Sequence, residues 1–255
     1  MAVNLFTLDL ELDLGLDLVQ IPAGEFWMGA DLWNYQEKPR HLVSLAEFWM
    51  GRTAVTVKQY ALFARATGYP IRPVQISGLP VQADFPVVNV SWYDGRAFCR
   101  WVDSLLHEEG DLFPGWQVRL PGEAEWEKAA RGTDGREFPW GDRPPDANLC
   151  NYNRSDFKIA SLTPVGFYSP QGDSPYGCAD MAGNVWEWTH SLNKPYPYDA
   201  RDGRESEEDP GERVVRGGAA YNFASMMRCS YRVANDPAHD YTTRGFRMCV
   251  SPIHF

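Results

Sequence analysis

The sequence predicts an α+β domain with few helices and a large share of irregular chain. Three observations lead there: short β-rich runs near the N-terminus, amphipathic helical stretches before residue 132, and no helical period after it. At 255 residues the chain is long enough for one large core and sits near the upper limit for a single domain. Its 22 glycines and 19 prolines demand many turns, and its 10 tryptophans must supply buried area where regular pairing is absent.

From Leu8 to Leu18 leucine holds every even position, with Asp9, Glu11, Asp13 and Asp17 between. This period-two pattern describes a strand with one apolar and one solvated acidic face. Such an edge needs covering, so residues 1–18 read as an N-terminal strand extension able to recruit a partner chain, and residues 19–255 as the domain proper. VQIPAGEFWMG at 19–29 and LVSLAEFWM at 42–50 are core strand runs punctuated by Gly and Pro. Thr56 followed by Gln59 spells a capping box; Val57, Tyr60, Ala61 and Ala64 share one face of the helix it opens, and Gly68 closes it. Ser91 with Asp94 repeats the start signal, and Trp92, Phe98, Trp101, Val102 and Leu105 form the apolar stripe of a second helix. A third, short helix spans Glu123 to Arg131 and ends at Gly132. On it, Glu123 and Glu127 stand one turn apart and read as a solvated face, as does the acidic loop DGRESEEDPGE at 202–212.

The formal net charge of -10 repels phosphate and no basic run interrupts it, which argues against a nucleic-acid partner. Cys99, Cys150, Cys178, Cys229 and Cys249 are odd in number and widely spaced, as reduced core thiols would be. Cys229 with Cys249 is the one pair to watch, since both lie near the C-terminus. The histidines are scattered and lack the spacing of a zinc or non-haem iron set. No basic n-region, apolar h-region or membrane-length apolar run is readable, so a cytoplasmic location without a membrane span is the expectation. A G-x-S-x-G elbow is absent as well.

Read in order, IPAGEFWMG (21–29), FPVVNVSWYDGRAFCRW (85–101), RLPGEAEWEKAARG (119–132), FPWGD (138–142), DMAGNVWEWT (180–189), RVVRGG (213–218), RCSYR (228–232) and GFRMCV (245–250) resemble the formylglycine-generating enzyme (sulfatase-modifying factor) family. An ordered set of this kind is far more specific than any single segment. The resemblance implies that family's variant of the C-type lectin fold. It also implies a test of the chemistry, because the family's oxidases use two copper-binding cysteines after the Gly-Gly. Counted from Gly218, those positions fall at Asn222 and about Met227, which supply no thiolate, so no redox metal is expected. Cys229 beside Arg228 remains as a lone candidate nucleophile. The resemblance further implies a structural calcium ion on the Asp180 side chain, the Gly183 and Val185 carbonyls and the Glu187 carboxylate, all hard oxygen donors. A second calcium site would use Asn148 and a carboxylate near Gly166 that this chain lacks.

The segment RGG-AAYNFAS-MMRCSYR-VANDP-AHDYTTRGFR also resembles the variable region of diversity-generating retroelement proteins, which use the same fold as a binding scaffold. There, asparagine codons are randomised at adenines while framework residues stay fixed. Tyr221, Asn222, Phe223, Ser225, Val233, Ala234, Asn235, Asp236, Ala238, His239, Asp240, Tyr241, Thr242 and Thr243 fall where such variation is implied, within a surface at 219–244. Aromatic, small polar and charged side chains of this kind suit a paratope. The implied function is a non-enzymatic ligand-binding protein, with a protein as the expected ligand; the alternative is a formylglycine-generating-enzyme-like oxidoreductase, or a biosynthetic accessory factor, lacking the usual cysteine pair.

Overall fold

Each β-rich run at the N-terminal end breaks at a turn into two strands. The computed structural model describes residues 14–71, 83–153 and 161–253. In it, run 19–29 becomes β1 (Leu18–Ile21) and β2 (Gly24–Met28), and run 42–50 becomes β3 (His41–Leu45) and β4 (Phe48–Gly51). The break separates partners: β1 pairs antiparallel with β4, Ile21 opposite Phe48, while β2 pairs with β3, Phe26 opposite Val43. Side-chain alternation then buries Ile21, Phe26, Met28, Phe48 and Met50.

Of the Leu/Asp pattern, residues 1–13 lie outside the described residues. Leu14 is buried, Leu16 and Leu18 pack against the main core, and ladder pairing starts only at Leu18. Asp17 faces solvent, 3.9 Å from Arg52.

The helices follow their start signals. Capping boxes at Thr56/Gln59 and Ser91/Asp94 open α1 (Val57–Thr67) and α2 (Trp92–Glu109), and left-handed Gly68 and Gly110 close them. Tyr60 and Phe63 of α1 meet Phe98 of α2 and Phe246 near the C-terminus, with ring centroids 5.5 to 6.4 Å apart. The third helix, α3 (Glu123–Arg131), departs from expectation, because all nine of its residues are buried. Glu123 and Glu127 are therefore not a solvated face. Glu123 accepts from Arg232 Nε at 2.6 Å and Nη2 at 2.8 Å, while Glu127 pairs with Arg131 at 2.9 Å and with Arg216. Burial pushes the Glu123 carboxyl up, and Arg232 with Arg216 more than reverses this, leaving it below the usual range. The arginines come from strands about ninety or more residues away, so spacing along the helix could not reveal them.

The remaining strands are β5 (Trp116–Arg119), β6 (Trp186–Leu192), β7 (Arg213–Arg216), β8 (Arg232–Asn235), β9 (Arg244–Phe246) and β10 (Cys249–Pro252). One sheet runs β1-β4-β10-β5 and a second β8-β7-β6-β9, in which β6 and β9 are parallel; β2 and β3 form a ribbon. First and last strands thus share a sheet, closing the fold on itself. The acidic loop 202–212 is a second departure. Its Glu208–Glu212 stretch is exposed, but Arg204 and Glu205 are buried, Glu205 accepting from Tyr198 Oη at 2.9 Å and lying 3.0 Å from His190 Nδ1. Among the described residues no helix is long and apolar enough to cross a membrane.

Candidate ligand-binding face

The segment after β7 alternates between side chains that hold the fold and side chains that leave it. Gly217 and Gly218 carry φ of 95° and 75°, left-handed values that glycine adopts freely. A Cβ on Gly218 would sit 2.9 Å from the Met226 carbonyl and run into the Met227 side chain. This tight turn releases Tyr221, Phe223 and Ser225 outward and returns Met227, Arg228, Cys229 and Ser230 inward. Next, Arg232 is buried while Val233, Ala234 and Asn235 are half-buried; Asp236, Ala238, His239, Tyr241 and Thr242 are exposed, and Asp240 and Thr243 half-buried. From Arg244 to Ser251 the chain is buried again. None of the fourteen positions singled out from the sequence is buried.

The structure gathers some of these positions and not others. Tyr221, Asn235, Tyr241 and Thr243 converge on the Arg244 guanidinium: Asn235 Oδ1 accepts from Nε at 2.8 Å, Thr243 Oγ1 and Tyr221 Oη from Nη1 at 3.3 and 3.4 Å, and the Tyr241 ring lies 4.9 Å away. By contrast, Asn222 accepts from Ala219 N at 2.9 Å and serves its own turn, and Val233 packs against the main core. Asp236 pairs with exposed His239 at 3.1 Å, and the Pro237 carbonyl accepts from Trp92 N at the start of α2, which ties this loop down. The sequence reading missed Trp186 and Tyr231, whose rings stand 6.0 Å apart beneath the face, and the loop carrying exposed Leu32, Trp33 and Tyr35. Arg228 joins that loop to the face, stacking 4.2 Å from the Trp33 ring and pairing with Glu37 at 2.6 Å. Nothing in the local pattern of 31–37 signals this, since its partner lies nearly two hundred residues on.

The thiols are sealed. All five cysteines are free and buried, so the Cys229–Cys249 pair is not a disulfide even though both sit in one core cluster with Cys178. Burial pushes the Cys229 thiol up to about 12 and the Cys178 thiol up to about 11, which removes Cys229 as an activated nucleophile: Arg131 and Arg216 lower it less than desolvation raises it. Met227, at one position where an oxidase would place a cysteine, is wholly buried against Phe138, Cys150 and Ala182.

The side chains of the expected calcium ligands already carry protein partners. Both Glu187 oxygens are taken, Oε2 by Arg247 Nε at 2.6 Å and Trp126 Nε1 at 2.7 Å, and Oε1 by Arg247 Nη2 at 2.7 Å. Arg247, fully buried, also donates to the carbonyls of Gly51, Arg52 and Ala179. A guanidinium thus occupies the anionic side of Glu187 and pins the loop that the cation was expected to pin. Asp180 accepts from Gly166 N at 2.6 Å, and burial pushes its carboxyl up to about 6. Gly183, with φ of 80°, has no room for a Cβ against the Asn151 carbonyl. The Asn148 backbone N donates to Asp146 Oδ1 at 2.8 Å. Among the described residues no group of three or more His, Cys, Asp or Glu could hold a metal ion.

Residues 12–252 match the sulfatase-modifying factor enzyme 1-like domain. The chain belongs to that family. Within the sulfatase-modifying factor-like family, it is 30% identical to a formylglycine-generating enzyme of Streptomyces coelicolor, an alignment covering 90% of this chain and 87% of that one. The solved structure of PvdO from Pseudomonas aeruginosa superposes with a TM-score of 0.72 at 26% identity, covering 92% and 94% of the two chains. Treponema denticola variable protein 1 superposes with a TM-score of 0.71 at 23% identity over 92% and 95%, a likeness of fold. The architecture of this family member is accordingly the C-type lectin-like fold, α+β with few helices.

Proposed function

We propose that this sulfatase-modifying factor-like chain is a non-catalytic binding protein that recognises a ligand, a protein by class, through the outward side chains of residues 221–243. One observation carries the reading: along this segment Met227, Arg228, Cys229, Ser230 and Arg232 return to the core, while Tyr221, Phe223, Ser225, Asp236, Ala238, His239, Tyr241 and Thr242 are exposed. A catalytic segment would instead aim reactive groups at one point. Here Asn222 and Met227 stand where the oxidases need thiols, and each is committed to packing or a turn. The outward set mixes rigid aromatic rings with small polar groups, which gives contact area at low entropic cost together with adaptable hydrogen bonding. Likeness of fold to the Treponema variable protein supports the same reading.

Sequencing the 3′ end of the gene in many sister isolates tests it. Substitutions should cluster at codons for the outward residues, spare those for Arg232, Arg244 and Arg247, and be accompanied by a near-identical template repeat and a reverse transcriptase gene nearby. Invariant codons across the segment, with no such repeat, would refute the variable-protein origin. The oxidoreductase alternative, which rests on identity to the Streptomyces enzyme, requires copper- or iron-dependent oxygen uptake with a thiol peptide; the expectation is none.

A further inference from the structure

Most buried arginines in this protein come with carboxylates, and Arg244 departs furthest from that rule. Arg119 has Glu125, Arg131 has Glu127, Arg216 has Glu123 and Glu127, Arg228 has Glu37, Arg232 has Glu123 and Arg247 has Glu187. Arg213 lacks an ion pair but donates to the backbone carbonyls of His190 and Ser206, with Glu205 and Glu207 close by. Arg244, only 7% exposed, has neither arrangement. Its hydrogen bonds go to three neutral side-chain oxygens, on Asn235, Tyr221 and Thr243, and its plane meets the rings of Trp186 and Tyr241. Among the described residues no carboxylate forms an ion pair with it, and the carboxylate of nearby Asp236 is turned to His239. Burial holds its pKa below the usual arginine range. Its Nη2 makes no hydrogen bond among the described residues, yet it is not sealed in the way the unpartnered Nε atoms of Arg131, Arg216 and Arg228 are. A desolvated charge without a counter-ion is costly, and that cost is recovered when an anion arrives.

We infer that Arg244 receives a carboxylate of the bound ligand, an aspartate or glutamate side chain of a protein partner, at the centre of the face formed by Tyr221, Asn235, Tyr241 and Thr243. This assignment rests on the ligand-binding reading above and names the chemistry at its centre. Exposed rings favour a protein over a free anion: Tyr221 and Tyr241, 45% and 38% accessible, offer flat apolar contact at the guanidinium, and Phe223, 60% accessible, stands two residues from Tyr221, contact that a small inorganic ion would leave unused. Charge-assisted hydrogen bonding to Nη2 then supplies direction.

Two capped peptide libraries, identical except for a central Asp or Asn between random flanks, test this by retention on the immobilised full-length protein. Wild type should retain the Asp series about tenfold over the Asn series, as expected for one charge-assisted contact. Asn235→Asp lays a carboxylate against Arg244 from within; it should raise the melting midpoint and abolish the preference, a readout that does not depend on deleting the arginine. Arg244→Gln should abolish it too. Equal retention of both series, with both lost in Phe223→Ala/Tyr241→Ala, overturns the carboxylate assignment and leaves the ligand-face reading standing. Retention of neither series by wild type sinks both.

Discussion

Replacing Arg247 by methionine probes whether a guanidinium has taken over the role of a structural cation. Methionine fills much of the volume but leaves Glu187, 1% exposed, with Trp126 Nε1 as its remaining donor, and takes the Arg247 donors from the carbonyls of Gly51, Arg52 and Ala179, of which Arg52 O keeps Ala179 N. Removing one partner of a buried ion pair costs about 3–5 kcal/mol, and the donors lost to these carbonyls add to it. For a domain of this size that corresponds to a fall in Tm of about 6–20 °C. Calorimetry and urea unfolding of wild type, Arg247→Met, Glu187→Gln and the double variant would measure it, with the double variant recovering part of the loss because no unpaired charge remains. Each melt is run with calcium and with chelator. Wild type should be indifferent, since an ion bound to the native state would raise the midpoint by mass action. A loss below about 1 kcal/mol in Arg247→Met, or a wild-type midpoint that drops on chelation, would refute the reasoning.

Further outcomes follow from titrating and buried groups. The Asp180 carboxyl, pushed up to about 6, keeps a proton in the folded state that the unfolded chain loses near its ordinary value of 3.8, so stability declines as pH rises through that window. Asp180→Asn preserves an acceptor for Gly166 N, and urea melts should show the slope gone and a gain of up to about 3 kcal/mol near neutral pH. Burial lowers the His190 pKa, but hydrogen bonds that its ring donates to the Glu205 and Glu207 carboxylates outweigh this and leave it raised; its contribution is full below its unfolded value of about 6.5 and lost as pH climbs past the folded one. His190→Gln should therefore flatten the alkaline limb of the stability curve, as read by urea midpoints on either side of neutrality. A thiol reagent at pH about 8 should leave Cys178 and Cys229 untouched in the native protein and label them on unfolding, in mass spectra taken across a denaturant series.

Local signals were legible and long-range ones were not. Both capping boxes and the glycine helix ends appear where the pattern places them, because caps and αL stops are decided within one turn. The fourteen positions singled out in 221–243 came from the resemblance to a variable region, and the structure leaves each of them exposed or half-buried. The environment of α3 was not legible, since Glu123 and Glu127 look like any polar pair until β7 and β8 deliver Arg216 and Arg232. The same holds for Glu187, whose partner Arg247 is 60 residues away, and for Trp33, which needs Arg228 to join the face. Arg204 and Glu205 defeated a charge-run reading because composition cannot show which two members of an acidic loop turn inward.

Glu123 and Glu127 of α3 grip Arg216 and Arg232 at full burial, away from the rings that face outward. Sequence change at the outer surface therefore draws little on the free energy that keeps the chain folded, whereas a single change in that helix endangers two strands at once. Mutational tolerance in this protein should be steeply graded across a distance of one sheet's thickness, and its capacity to acquire new specificities is set by how firmly a helix that never meets the ligand holds its ground.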